Sequence, residues 1–391
     1  MRRSGSNSSP RVACTYLLAL LLTLPALASA QPKASSTAPP RSAPLPLTFV
    51  LGLEWFDDDN ILQLTPSDLA RFASNPAPPR FLIESTDDNV LALHGDAYAH
   101  FELAPRRDTR FGVSFDASDY QRNDVKDWHE FGLSFAQELT ASRRNLSALS
   151  AWWSRVPDFY LLQITDADDS FAAGTRIRRS LSYEQSTAGV RVDQELMRGR
   201  AKLALGYERV TRDYNESFNE RDNHNDQWKL TGEVRPFPNW GASARITYLV
   251  GRLRAEGDLP SSPIVDADVS YDHQGIGAAV SLPWGRGRTR GRLEASLMPE
   301  VRDFQTSDKF DVRRFGRENH RLETVVRVIQ RVWGPFEAIA TYDKLSSDAS
   351  FDSGLVFPED QTDFDQTRLG LMLRGRWDLR DSRSTARDAR P

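Results

Sequence analysis

Cysteine is nearly absent from this chain: 391 residues contain one, Cys14, alongside four methionines and six histidines. One thiol cannot build a disulfide framework and supplies no Cys-based metal site. Long apolar runs are missing too. Beyond the first 24 residues none reaches the roughly 18 that a helix needs to cross a bilayer, which leaves only strands as a way across. Nor is there an excess of charge of one sign. The 50 Lys and Arg stand against 54 Asp and Glu, for a net charge of −4 and a pI near 6.0. The basic residues are scattered rather than gathered into a patch, which argues against nucleic acid as a partner. A Gly-rich phosphate loop, a zinc-binding His pair and a Ser nucleophile elbow are also missing. The sequence therefore nominates no cofactor, no metal and no catalytic residue.

What is present begins with an N-terminal segment in three parts. Arg2, Arg3 and Arg11 precede a mostly apolar run from Ala13 to Leu24, a break at Pro25 and the small-residue stretch Ala26-Leu27-Ala28-Ser29-Ala30. That is the pattern of a secretory signal, predicted over residues 1–30, and it takes Cys14 with it on cleavage. Residues 31–46 are rich in Pro, Ser and Ala without periodicity and read as a disordered linker. A single β-domain is expected over residues 47–380, followed by a polar tail, 381–391.

From Leu47 onward the dominant signal is alternation. Leu369, Leu371, Leu373, Gly375, Trp377 and Leu379 alternate with Arg368, Gly370, Met372, Arg374, Arg376 and Asp378, so one extended strand carries an apolar face and a charged face. At the other end of the domain Leu47, Phe49, Leu51, Leu53 and Trp55 oppose Thr48, Val50, Gly52 and Glu54. Short connections at residues 105–108, 141–145, 198–200, 238–240, 285–288 and 333–335 alternate with longer acidic ones. Tall strands in this rhythm are the signature of a transmembrane β-barrel: all-β, antiparallel and up-and-down. About 14 strands are expected, or 12 if the first strand and its return near residues 97–103 lie outside the wall. A mean hydropathy of −0.52 and 27% charged residues suit such a wall, because only every second residue meets lipid. Short turns on the periplasmic side would place both termini there. Between residues 60 and 88 the pattern breaks, and Thr65-Pro66-Ser67-Asp68 signals a helix start within a long folded loop.

Residues paired across a hairpin share a face, so turns set registers. With residues 238–240 as a turn, Trp228, Leu230, Val234, Ala244, Ile246 and Tyr248 share one side and Glu233 lies opposite Arg245 on the other. With residues 333–335 as a turn, Val332 meets Phe336 outside and Arg331 meets Glu337 inside. The lumen is accordingly expected to be lined by Arg245, Arg292, Arg327, Arg331, Arg374, Glu233, Glu294 and Glu337. These would either tune ion or solute selectivity or neutralise one another and brace the wall. Trp240, Trp284, Trp333 and Trp377 fall at the short-turn ends, and Trp55, Trp128 and Trp228 at the long-loop ends, as two aromatic girdles.

Other polar clusters read as ordinary. Asp57-Asp58-Asp59-Asn60 lacks the spaced ligands of a calcium loop and reads as a solvated acidic loop. His129, His224 and His273, each near a carboxylate in sequence, are the candidates for a barrel enzyme and read as polar residues at membrane-flanking depth. Trp55-Phe56-Asp57-Asp58-Asp59-Asn60-Ile61-Leu62, a first strand running into an Asp-Asp-Asn-Ile loop, resembles the β-barrel porins of Gram-negative outer membranes. The resemblance implies an integral outer-membrane barrel with no assigned solute. Its partners would be outer-membrane lipids, lipopolysaccharide and the barrel-insertion machinery. The chain departs from those proteins at its end, where a polar segment follows Trp377-Asp378-Leu379. The function expected is a passive channel for ions or small solutes. The alternatives are the outer-membrane component of an export system, for example for polysaccharide, a barrel enzyme, or a surface-binding barrel with a closed lumen. The sequence leaves oligomeric state open.

Overall fold

The computed structural model describes residues 46–379 except 75–81, 105–106, 141–146, 167–176, 238–239, 256–268, 286–289, 307–313 and 352–362. The predicted signal segment, nearly all of the linker, the polar tail and the Pro-rich stretch near residues 76–79 lie outside the described residues. Fourteen strands form the wall: β1 (Leu47–Asp58), β2 (Asp88–Ala104), β3 (Arg107–Tyr120), β4 (Trp128–Glu138), β5 (Ser147–Asp166), β6 (Ile177–Leu196), β7 (Ala201–Tyr214), β8 (Asn223–Phe237), β9 (Ala242–Ala255), β10 (Tyr271–Trp284), β11 (Gly291–Phe304), β12 (Arg317–Arg331), β13 (Phe336–Phe351) and β14 (Phe364–Leu379). Each strand pairs antiparallel with its neighbours in sequence. β14 closes onto β1 from Leu47↔Leu379 to Asp58↔Arg368, so the sheet is a closed barrel without a free edge. The 12-strand alternative does not occur.

The two-residue period of an extended chain sorts the side chains. Leu371, Ile246 and Val328 point outward and are 61%, 63% and 43% exposed. Many other large apolar residues share that surface, including Leu53, Val113, Leu133, Val190, Leu205 and Leu230. A contiguous apolar exterior of this extent marks a surface that something apolar covers. Inside, close packing is local: a Cβ at Gly189 on β6 would collide with the Trp152 indole of β5, so only glycine lets that ring lie flat against the wall.

The connection from β1 to β2 folds over the inner face at the long-loop end. Helix α1 (Pro66–Ser74) starts where the sequence predicts, with the Thr65 hydroxyl accepting from the Asp68 amide at 3.2 Å. Ile61, Leu64, Phe72 and Ile83 of this connection pack against Val90, Tyr120 and Tyr160, with Phe56 and Trp128 at the margin. Two polar clips hold it there. The fully buried Asp58 accepts from Gln366 at 2.9 Å, Arg368 at 2.8 Å and the Asn60 amide at 3.1 Å. Asp88, equally buried, accepts from the Asn123 amide and side chain at 2.9 and 2.8 Å. The Asp57–Asn60 segment is therefore partly a buried clip, where the sequence reads a solvated loop.

Candidate functional site

The eight lumen residues predicted from alternation all line one cavity of about 1020 Å³ at the short-turn end, together with Arg235, Arg290, Arg376 and Asp378. Strands β8 to β14 supply nearly all of this lining, and the foreseen registers Glu233↔Arg245 and Arg331↔Glu337 are present. The ion pairs, however, are different ones. Glu233 binds Arg235 of its own strand at 2.7 Å, and Glu337 binds Arg374 of β14 at 2.7 Å. Arg292–Glu294 at 2.8 Å and Arg376–Asp378 at 3.4 Å complete the set. Among the described residues Arg245, Arg290 and Arg327 then enter no ion pair, and Arg331 donates only to the Gly334 carbonyl, at 3.2 Å. These four side chains are exposed although they line the interior, so water reaches this part of the lumen.

The opposite half of the circumference, β1 to β7, carries the other sign. Glu54, Asp96, Asp116, Glu130, Asp193 and Glu208 face inward there, several of them engaged. His94 sits between two carboxylates, Nδ1 at 2.7 Å from Asp116 and Nε2 at 3.2 Å from Glu54. Asp193 meets Arg191 and Lys202, each at 3.0 Å. Glu208 accepts from Gln227 at 2.8 Å. The His94 bridge escaped the sequence reading, because a register shift between Phe101 and Ala104 is what brings His94 directly across from Asp116.

Nearer the long-loop end a second cavity of about 210 Å³ is lined by Gln63, Met298, Glu300, Arg321, Glu323, Asp343, Leu345, Gln366 and Arg368. His273 is the third residue of β10, toward the long-loop end. It is buried and faces inward, with Nε2 3.0 Å from Asn225 and Nδ1 3.5 Å from Glu300. His129 faces outward, edge-on to Phe131 at 5.4 Å, and His224 lies 3.8 Å from Asp226.

One arrangement has the outline of a hydroxyl–imidazole–carboxylate relay. Thr48 Oγ1 is 3.3 Å from His100 Nε2, and His100 Nδ1 is 3.3 Å from Asp108. Yet Thr48 is only 2% exposed and its hydroxyl donates to Asp378 at 2.7 Å, so the oxygen is inaccessible and its proton already committed.

Of the predicted girdle, Trp55, Trp228, Trp240, Trp284 and Trp333 point outward with exposures of 36% to 57%. Trp377 is half-buried and edge-on to Phe336 at 5.5 Å. Trp128 is a correction. It pairs with the buried inward Ser118 and packs against the apolar cluster inside the wall. It shares the parity of the inward Glu130, so alternation outweighs the preference of its ring for an interface.

No protein-family model and no curated protein matches this sequence. Solved structures share its barrel at low identity. The TodX monoaromatic hydrocarbon channel (a ΔS2 mutant) is 7% identical over 87% of this chain and 91% of that one, with a TM-score of 0.43. OmpT of Vibrio cholerae, in a form lacking loop L8, is 12% identical over 85% and 99%, with a TM-score of 0.40. An anion-selective porin from Comamonas acidovorans is 8% identical over 86% and 100%, with a TM-score of 0.38. These likenesses concern the barrel fold alone.

Proposed function

We propose that this chain is an integral outer-membrane barrel, both termini periplasmic, that passes small polar solutes by passive diffusion. The outward apolar surface supports the membrane reading, since lipid would cover it and leave the charged face wet. The observation that carries the channel reading is the set of inward, solvent-exposed guanidinium groups of Arg245, Arg327 and Arg331 within a closed wall. An interior built only to brace the wall would pair such groups. With carboxylates on the facing half, they set a transverse field across any solute in transit. Outer-membrane lipid, lipopolysaccharide and the insertion machinery are the partners this reading requires.

Planar-bilayer recording of the refolded full-length chain tests it, with discrete conductance steps as the expected result. One specific observation favours a closed barrel whose loops act outside the cell: the apolar packing of Ile61, Leu64, Phe72 and Ile83 at the long-loop end. A variant with residues 61–83 replaced by a short Gly-Ser linker separates the two readings. Silence of both proteins removes the channel and leaves the barrel, whereas conductance by the linker variant alone identifies the folded connection as a plug. The enzyme reading draws no support from the hydroxyl–imidazole relay at Thr48 and His100, because its hydroxyl is buried and bonded to Asp378.

A further inference from the structure

Formal charge in the short-turn cavity does not balance. Arg235, Arg292, Arg374 and Arg376 each pair with a carboxylate on the same or the next strand, while among the described residues Arg245, Arg290, Arg327 and Arg331 enter no ion pair in a cavity of about 1020 Å³, Glu323 and Asp343 acting on Arg327 only from beyond ion-pair distance. Four cations sharing one volume repel one another, and a low-dielectric wall strengthens that repulsion relative to water. A guanidinium offers five N–H donors in a planar fork and accepts nothing, so an oxyanion is the species that satisfies both its charge and its geometry. The four groups outside ion pairs come from β9, from β12 and from just before β11, so they are spread around the cavity rather than stacked at one point. A monovalent anion would neutralise one of them. A solute bearing several carboxylate or phosphate charges engages more than one.

We propose that the short-turn cavity is a saturable binding site for small oxyanions carrying two or more negative charges. Arg245 and Arg327 hold the anion within the lumen, and Arg290 and Arg331 meet it near the turns. This deepens the channel reading and rests on its water-accessible lumen, but not on conduction through the whole barrel. The apolar packing that narrows the lumen lies at the other end, so the site is reached from the short-turn side whether or not solute crosses.

Isothermal titration calorimetry on the refolded full-length barrel in zwitterionic detergent, at fixed ionic strength, tests the site with citrate, pyrophosphate and acetate. Saturable binding of citrate, pyrophosphate or both, with none of acetate, is the expected result, and it tells polycarboxylate from polyphosphate preference. The R245Q/R327Q variant should weaken binding by about tenfold or more. R290Q/R331Q, changed at exposed positions by the turns, gives a second reading should the first variant fold poorly. R209Q removes the same charge from the outward face and should leave binding unchanged. The proposal is overturned if citrate and pyrophosphate bind no better than acetate, or if R209Q weakens binding as much as the lumen variants do. Calorimetric binding with silent bilayers defeats conduction and keeps the site; conductance without binding defeats the site and keeps the channel.

Discussion

The two halves of the barrel handle charge in opposite ways. Along β1 to β7 the inward carboxylates are largely engaged: Glu54 and Asp116 hold His94, Asp193 holds Arg191 and Lys202, and Glu208 holds Gln227. Along β8 to β14 the arginines outnumber their partners, and Arg245, Arg327 and Arg331 stay exposed in the lumen. The covering of the inner face differs as well. The apolar connection lies over β1 to β5 at the long-loop end, while the large cavity opens among β8 to β14 at the short-turn end. Engaged charge stiffens a wall. Unpaired like charge only costs stability through self-repulsion, so its presence points to a role other than architecture.

That contrast can be broken at four points. The largest effect is expected at Phe72, 8% exposed in the apolar cluster, where Phe72→Ala should destabilise the folded connection by about 4 kcal/mol. Conductance should rise while the strands keep their resistance to heat-induced unfolding on gels; unchanged conductance would show that the connection does not restrict the lumen.

Next comes Lys126, in the turn between β3 and β4. Its Nζ donates to the Tyr160 carbonyl at 2.9 Å and lies 4.6 Å from the centre of the Phe159 ring. Burial pushes its ammonium down to about 8, against the pull of Asp58 and with a smaller push from Arg368. An unfolded lysine keeps its proton up to about pH 10.4, so between these values the unfolded segment binds more protons than the folded one. Stability should therefore rise with pH through that window, by up to about 3 kcal/mol, while below pH 8 the cost of the buried charge is present in full. Limited proteolysis of residues 61–74 between pH 7 and 11 should show protection increasing; a slope that survives Lys126→Met would assign it to another group.

A third effect, about tenfold or 1.4 kcal/mol, is expected in anion-over-cation permeability when Arg245 and Arg327 are both changed to Glu. Reversal potentials in a salt gradient measure it, and an unchanged ratio would mean the basic half does not select. The smallest belongs to the other half. Glu54→Gln should move the same ratio by less than about twofold, because Glu54 already faces His94 at 3.2 Å. A larger shift would show that the two halves act alike.

Much of this arrangement was legible before any coordinates. The parity that puts Leu371 outside and Arg374 inside also gathers the eight candidate residues along one cavity, and the Thr65-Pro66-Ser67-Asp68 signal located helix α1. Trp128 was misplaced because its ring type was weighed above its parity with Glu130. His273 was read only as a polar residue at membrane-flanking depth, and its contact with Glu300 depends on β10 and β11 lying side by side. The partners of Glu233 and Glu337 were missed for a different reason. A carboxylate on a strand has cations within reach both along its own chain and across to its neighbours, and the hairpin register names only one of them.

The sequence by itself determined which side of the wall each residue occupies, because an extended chain turns its side chains over every second residue and lipid tolerates few charges. Only the tertiary structure decided that β14 meets β1, that the connection after β1 lies over the inner face, and that Arg245 and Arg327 enter no ion pair among the described residues. Those outcomes depend on contacts between residues such as Asp58 and Arg368, which lie far apart in the chain and meet only once the ring has closed.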